Sequence, residues 1–233
     1  SNAFLKICIS LQYSLTLNRL ILDFQITTSF YMKLLLVFLF TVLSNYSFAN
    51  DGTTPAKTNA QKWTFDKAHS SVSFRVRHFF TPVLGEFNSY DGEIFFDPSN
   101  LDGSSINVTI QVNSVDTKNG KRDPHLQSAD FFDAETYPTM TFISEKISAQ
   151  GENEYIAKGK LTIKDVSTDF ELPFKLLGIM DHPKRKGTQI SAFESLFVIK
   201  RNDFNVGTGQ YVETAVIGDE VSVSITLELL SSK

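Results

Sequence analysis

An all-β fold, an antiparallel barrel of about eight strands, is what the sequence predicts, and three observations carry it. From about residue 60 onward, apolar and polar residues alternate with a period of two, the signature of half-buried strands. Turn signals recur every ten residues or so, as in sandwiches and barrels. The rhythm breaks once, over Arg122 to Phe142. There Leu126, Phe131 and Phe132 fall on one side of a short helical turn, and Asp130, Asp133 and Pro138 supply cap and stop signals. Such an apolar plug suits the cover of a barrel end; the plainer alternative is a crossover whose aromatics pack on the sheet. Of the two all-β architectures, a closed barrel also removes exposed edges.

The N-terminal part is set aside first. Ser1-Asn2-Ala3 reads as a tag scar and residues 4–31 as an over-extended start. Met32-Lys33, the apolar run Leu34 to Leu43 and Ser47-Phe48-Ala49 form a signal peptide (32–49) with cleavage expected after Ala49. The apolar run is too short to span a bilayer. Residues 50–61 read as a flexible tether and 62–233 as one barrel domain. Without residues 1–49 the chain has 19 basic and 25 acidic side chains, net −6, which argues against nucleic acid. The single cysteine, Cys8, leaves with them, so no disulfide is expected and the core must hold the fold.

Trp63 and Phe65 open the first strand, and Asp66 to Ser70 turns the chain. Val72, Phe74, Val76 and His78 share one strand face, with Ser73, Arg75 and Arg77 on the other. Thr81-Pro82 to Gly85 is expected as a turn, followed by a strand from Glu86 to Asp97 kinked at Asp91-Gly92. Ile106, Val108, Ile110 and Val112 give the purest alternation. After the plug, strands are expected at Met140 and Phe142, over Tyr155 to Ile163, and again past a Lys164-Asp165-Val166 turn, bearing Phe170, Leu172, Phe174 and Leu176. Pro173 marks that strand as an edge or bulged. DHPKRKG (181–187) reads as a basic hairpin loop, 190–200 as strand, 201–209 as a turn-rich loop, and Val221 to Leu229 as the last strand.

These residues, in this order, also resemble a known family. Trp63, Phe65, Asp66, His69-Ser70, Tyr90-Asp91-Gly92, Arg122-Asp123, Asp130 to Asp133, Tyr137 to Phe142, Leu161-Thr162-Ile163, Leu172-Pro173, Arg201, Asp203-Phe204 and Gly218 to Val221 closely resemble the YceI-like family from about Trp63 to Leu230. The resemblance implies an elongated lipocalin-like barrel of secreted, periplasmic type. It implies a long apolar ligand inside: a polyisoprenoid, an isoprenoid quinone or a fatty-acid derivative. Two glycines of the family pattern are Asp165 and Asn205 here, residues that tolerate left-handed backbone.

Ligand contacts are accordingly expected from Phe74, Val76, His78, Phe87, Leu126, Phe131, Phe132, Met140, Phe142, Leu161, Ile163, Phe170 and Phe174. His78 is the polar one, expected to meet a ligand head group or to be a satisfied core histidine. Lipid cavities are lined this way, yet a filled core would be too. His69, His78, His125 and His182 show no metal-ligand spacing, so no metal and no cofactor are expected. His69 and His125 read as hydrogen-bond partners of loop backbone. His69-Ser70 is adjacency without a nucleophile elbow, and Asp123, Asp130 and Asp133 read as anchors, so catalysis is not expected. The basic residues are placed outside the cavity, which would favour a small neutral head over an anionic one. The alternatives are a structural or stress-related interaction protein with a filled barrel and, behind it, a lipid-modifying enzyme. A membrane span is not expected; a homodimer stays open.

Overall fold

A computed structural model describes residues 60–232, Ser232 by its backbone. The tag scar, the early start, the signal peptide and the tether as far as residue 59 lie outside the described residues. No described helix is long and apolar enough to cross a membrane. Ala60, counted with the tether, is buried.

Eleven strands follow, β1 (Lys62–Phe65), β2 (Ser71–His78), β3 (Thr81–Phe87), β4 (Tyr90–Phe95), β5 (Ser105–Gln111), β6 (Val115–Asp116), β7 (Thr139–Gly151), β8 (Glu154–Ile163), β9 (Val166–Asp181), β10 (Thr188–Lys200) and β11 (Ile217–Ser232), with one α-helix, α1 (Arg122–Gln127), before β7. The sheet runs β1-β4-β5-β7-β8-β9-β10-β11 and closes where β11 pairs with β1, an eight-membered antiparallel ring. The remaining strands β2, β3 and β6 extend β1, β4 and β5 past a break. At the first break the Asp66 carboxylate accepts from Ala68 N, bending the chain. The second and third breaks lie side by side, tied by Asn88 N to Ser114 O and Gln111 N to Ser89 O.

The strands obey their parity, because a closed ring buries one face of each. Two apolar clusters line the interior along its axis. One gathers Trp63, Phe96, Tyr155, Phe174, Phe193 and Leu229; the other gathers Val72, Phe87, Val112, Phe131, Met140 and Phe204 beside α1. Two expectations are corrected. Residues 81–85 are strand, paired with β2 from His78↔Thr81 to Ser73↔Glu86, and the turn is at Phe79-Phe80. In the β8–β9 turn the left-handed residue is Lys164 (φ 57), not Asp165, while Asn205 (φ 54) is left-handed as expected.

Pro173 sits where expected for a broken ladder. β9 pairs with β10 from Asp181 back to Lys175 and no further, and Pro173 O is taken by the Ser195 hydroxyl instead. Along the lapsed seam the rings of Phe170 and Phe197 meet, centroids 5.2 Å apart.

Candidate functional site

The barrel encloses a cavity of about 240 Å³, far above the ~10–15 Å³ that admits one water. Its two ends are built differently. At the far end Phe96 is almost wholly buried, with Tyr155, Phe193 and Phe174 in edge contact at centroid distances of 5.1, 5.3 and 5.6 Å. The Trp63 indole N–H donates to Phe96 O at 2.9 Å, which holds that residue's backbone. Edge-to-face rings packed this way form a dry, specific seal.

At the opposite end the seal is the plug. Helix α1 accommodates Pro124 in its first turn, where no intrahelical donor is needed, and Asn119 accepts from Lys121 N and Arg122 N. Asp123 accepts from Thr117 N and from its hydroxyl, and Arg122 donates back to Thr117 Oγ1 and O. Asp123 is thus the anchor expected of it. Past the helix the chain folds back through Phe132 N to Leu126 O and Asp133 N to Ser128 O, with Asp133 left-handed (φ 52). That return drives Phe131 into the core, under His125 and Tyr211 at 5.1 and 5.0 Å. Phe132 meets Phe87, which in turn meets Phe74.

Twelve of the thirteen expected residues line the cavity: Phe74, Val76, Phe87, Leu126, Phe131, Phe132, Met140, Phe142, Leu161, Ile163, Phe170 and Phe174. His78 does not. It has the right parity but stands at the last position of β2, past the rim, exposed, with its ring edge-on to Phe79. Sequence reasoning passed over the interior face of β11, from Ile217 to Leu229, and the loop residues Phe204 and Val206. The β11 face was readable from its period of two.

Arg201 corrects the placement of every cation outside. It lines the cavity, is buried (4% exposed), and donates to Gly218 O, Val206 O, Ile217 O and Asn202 Oδ1, each at 2.9 Å. Burial pushes its pKa down, and the charge of nearby Asp219 works against that. Its guanidinium fastens the 201–218 loop over the plug end, and Thr208 N to Asp130 O ties loop to plug. The only other charged side chain along the described lining is Glu194. Tyr90 is buried, and burial raises its hydroxyl pKa.

His69 and His125 bond side chains, not loop backbone, whereas His182 accepts from the backbone of Lys184 and Arg185. His69 is exposed and contacts Asp66 (3.0 Å) and Glu228 (3.7 Å) on the outer wall, three groups whose ligating atoms lie within 4.8 Å of one another. His125 bonds Asp130 at 3.0 Å. The Asp66 hydrogen bond raises the His69 pKa, and the same bond lowers that of Asp66.

Residues 63–229 match the YceI-like domain. The YceI protein of Salmonella agona is 34% identical over 194 residues, 82% of this chain and 98% of its own. The crystal structure of Burkholderia cenocepacia BcnA superposes with a TM-score of 0.64 at 33% identity, covering 72% of this chain and 99% of that one. A polyisoprenoid binding domain from Saccharophagus degradans, 15% identical, shares the fold with a TM-score of 0.54 over 75% of this chain and 99% of its own. On the match over residues 63–229 and the identity to the Salmonella agona protein, the chain belongs to the YceI-like family.

Proposed function

We propose that the protein is a carrier that holds one long apolar molecule, a polyisoprenoid, isoprenoid quinone or fatty-acid derivative, along the barrel axis. The observation that carries this reading is the cavity itself: inside the barrel, lined almost wholly by aromatic and aliphatic side chains, and charged only at Arg201 and Glu194. A structural protein with a filled barrel would leave no such space. The name of the Saccharophagus degradans domain points to the same ligand class. Neither lining charge has a nucleophile–base arrangement around it, which favours carriage over conversion. The sequence reading of a signal peptide cleaved after Ala49 puts the carrier in the periplasm.

Each buried methylene contributes about 0.8 kcal/mol, whereas one added hydrogen bond contributes about 0.5–1.5 kcal/mol net. Chain length therefore dominates affinity. Four N–H groups of Arg201 are already taken by protein oxygens, so its pull on an anionic head is weakened but present. Organic extraction of the purified protein followed by mass spectrometry tests the reading. A long-chain lipid at one per protein is the expected result. An empty extract, together with no uptake of added polyprenol, would return the barrel to a structural role.

A further inference from the structure

We infer that the β2–β3 hairpin tip, Phe79-Phe80, docks on an anionic lipid surface and seats the plug end of the barrel against it. The tip is built against the usual rules for a protein facing water. Two-residue hairpin loops favour glycine where φ is positive, yet here that position is Phe79, at φ 49. A bulky residue there is strained and persists only where its surroundings hold it. Phe79 N donates to Val216 O at 2.7 Å, and Arg77 clamps the tip through Phe79 O (2.5 Å) and Thr214 O (2.6 Å). The strained backbone presents Phe80 98% exposed and Phe79 half exposed, with Val216 exposed beside them, Val212 exposed two residues before the Thr214 carbonyl, and Leu84 exposed farther along β3.

Aromatic rings at the apex and cations behind it together select the occupant. The whole chain is net negative, −4, and Asp219 and Glu220 open β11 beside β2, but β2 itself carries Arg75 and Arg77, and the one carboxylate of β3, Glu86, is already engaged by Lys118 at 2.7 Å. Aromatic side chains at an apex with cations just behind them match the boundary of an anionic bilayer. A second copy of the chain fits less well. The five apolar side chains offer on the order of 500 Å², short of the ~800 Å² per partner of a standard interface. Val76, next to the tip on β2, lines the cavity, so a docked tip brings the plug end to the membrane. The basic 181–187 loop, with exposed Leu177 and Met180 nearby, is the competing surface and lies beside the sealed end.

The test uses the full chain and tryptophan depth. Trp63, the only native tryptophan, is buried and gives a constant background. Phe80→Trp and, at the far end, Leu177→Trp are each mixed with vesicles of equal parts phosphatidylglycerol and phosphatidylcholine carrying bromine-labelled chains. With the tip seated about 5–10 Å into the headgroup boundary, Phe80→Trp should blue-shift and be quenched roughly threefold more than Leu177→Trp. Added salt should weaken the effect. No shift in Phe80→Trp, equal or deeper quenching of Leu177→Trp, or a blue shift without vesicles that tracks a rise in mass by sedimentation each overturns the inference. The outcome is separable from carriage: a lipid in the extract with an unshifted tip defeats docking alone, and a quenched tip with an empty extract defeats carriage alone.

Discussion

The two ends of the barrel use the same residue type for different purposes. At the far end, Phe96, just past the end of β4, is locked by the strand-borne rings of Tyr155, Phe174 and Phe193 and by its own carbonyl, held by Trp63 of β1. At the plug end, Phe131 and Phe132 come from a six-residue helix and its turns, held by side-chain anchors such as Asp123 and by a loop clamped on Arg201. Ring-on-ring packing among strands of one sheet moves only if strands part, whereas the plug is carried by a short helix and loops. The same residue type thus packs one end through strand-borne rings and covers the other through a plug.

The largest effect should separate the ends outright. Phe96→Ala opens a void in the sealed cluster and should cost about 3–5 kcal/mol, whereas Phe132→Ala, half-buried on the plug, should cost about half as much and speed lipid release. Chemical denaturation and stopped-flow transfer of a fluorescent prenol measure both. Equal losses with unchanged release would mean the plug is core like the far end. Next comes Arg201→Met, which strips donors from Gly218 O, Val206 O and Ile217 O. An orphaned buried acceptor costs about 1–3 kcal/mol, and with partial rehydration of the loop a total of about 2–4 kcal/mol is expected. Hydrogen exchange should rise across 201–218 and the plug while the far end stays protected. Exchange rising evenly at both ends would dissolve the distinction.

The smallest effect lies on the wall between them. His69 has its pKa raised by Asp66, so its contribution to stability is complete below about pH 6.5 and fades as pH rises through its folded value. Asp66, lowered by the same hydrogen bond, contributes above the ordinary carboxylate range, near 3.9, and loses its part as pH falls through its folded value. Melting temperature should thus sag slightly from pH 6 to 9, and His69→Gln should flatten the slope. His69 is exposed and Asp66 half-buried on the outer wall, and lipid release should not change with them. A pH-dependent release abolished by His69→Gln would tie this wall to the gate.

Much of the interior was legible because a closed ring imposes one rule, alternate residues inward, on every strand. Phe74, Phe87, Phe142, Phe170 and Phe174 all follow it. What escaped are places where glycine or proline serves packing instead of turning. Gly85 looked like a turn residue, but a Cβ there would come within 2.3 Å of the Phe74 ring, so the glycine makes room for a cavity-lining side chain. The actual turn, Phe79-Phe80, carries no turn residue at all. His78 kept its parity yet lost the interior, because parity says which face a residue takes and nothing of where the ring of strands ends. Arg201 was unreadable for a related reason: its position depends on carbonyls 5 to 17 residues away that only the folded loop brings round it.

The closing strand imposes an order of events on the newly made chain. β11 pairs with β10 from Glu220 to Ser232, and with β1 and β2 on its other side, joining Phe65 to Leu229 and Val72 to Ile225. Those contacts span most of the domain's sequence, and loop closure over such distances must come before they return anything. Until residues 217–232 are available, β1 and β2 have no neighbour on that side and the interior stays open to water. The barrel is therefore finished last at the seam where its first and last strands meet, on the millisecond-to-second scale typical of such topologies, and under the proposed carriage that closure is a second route, beside the plug, for a ligand to reach the interior.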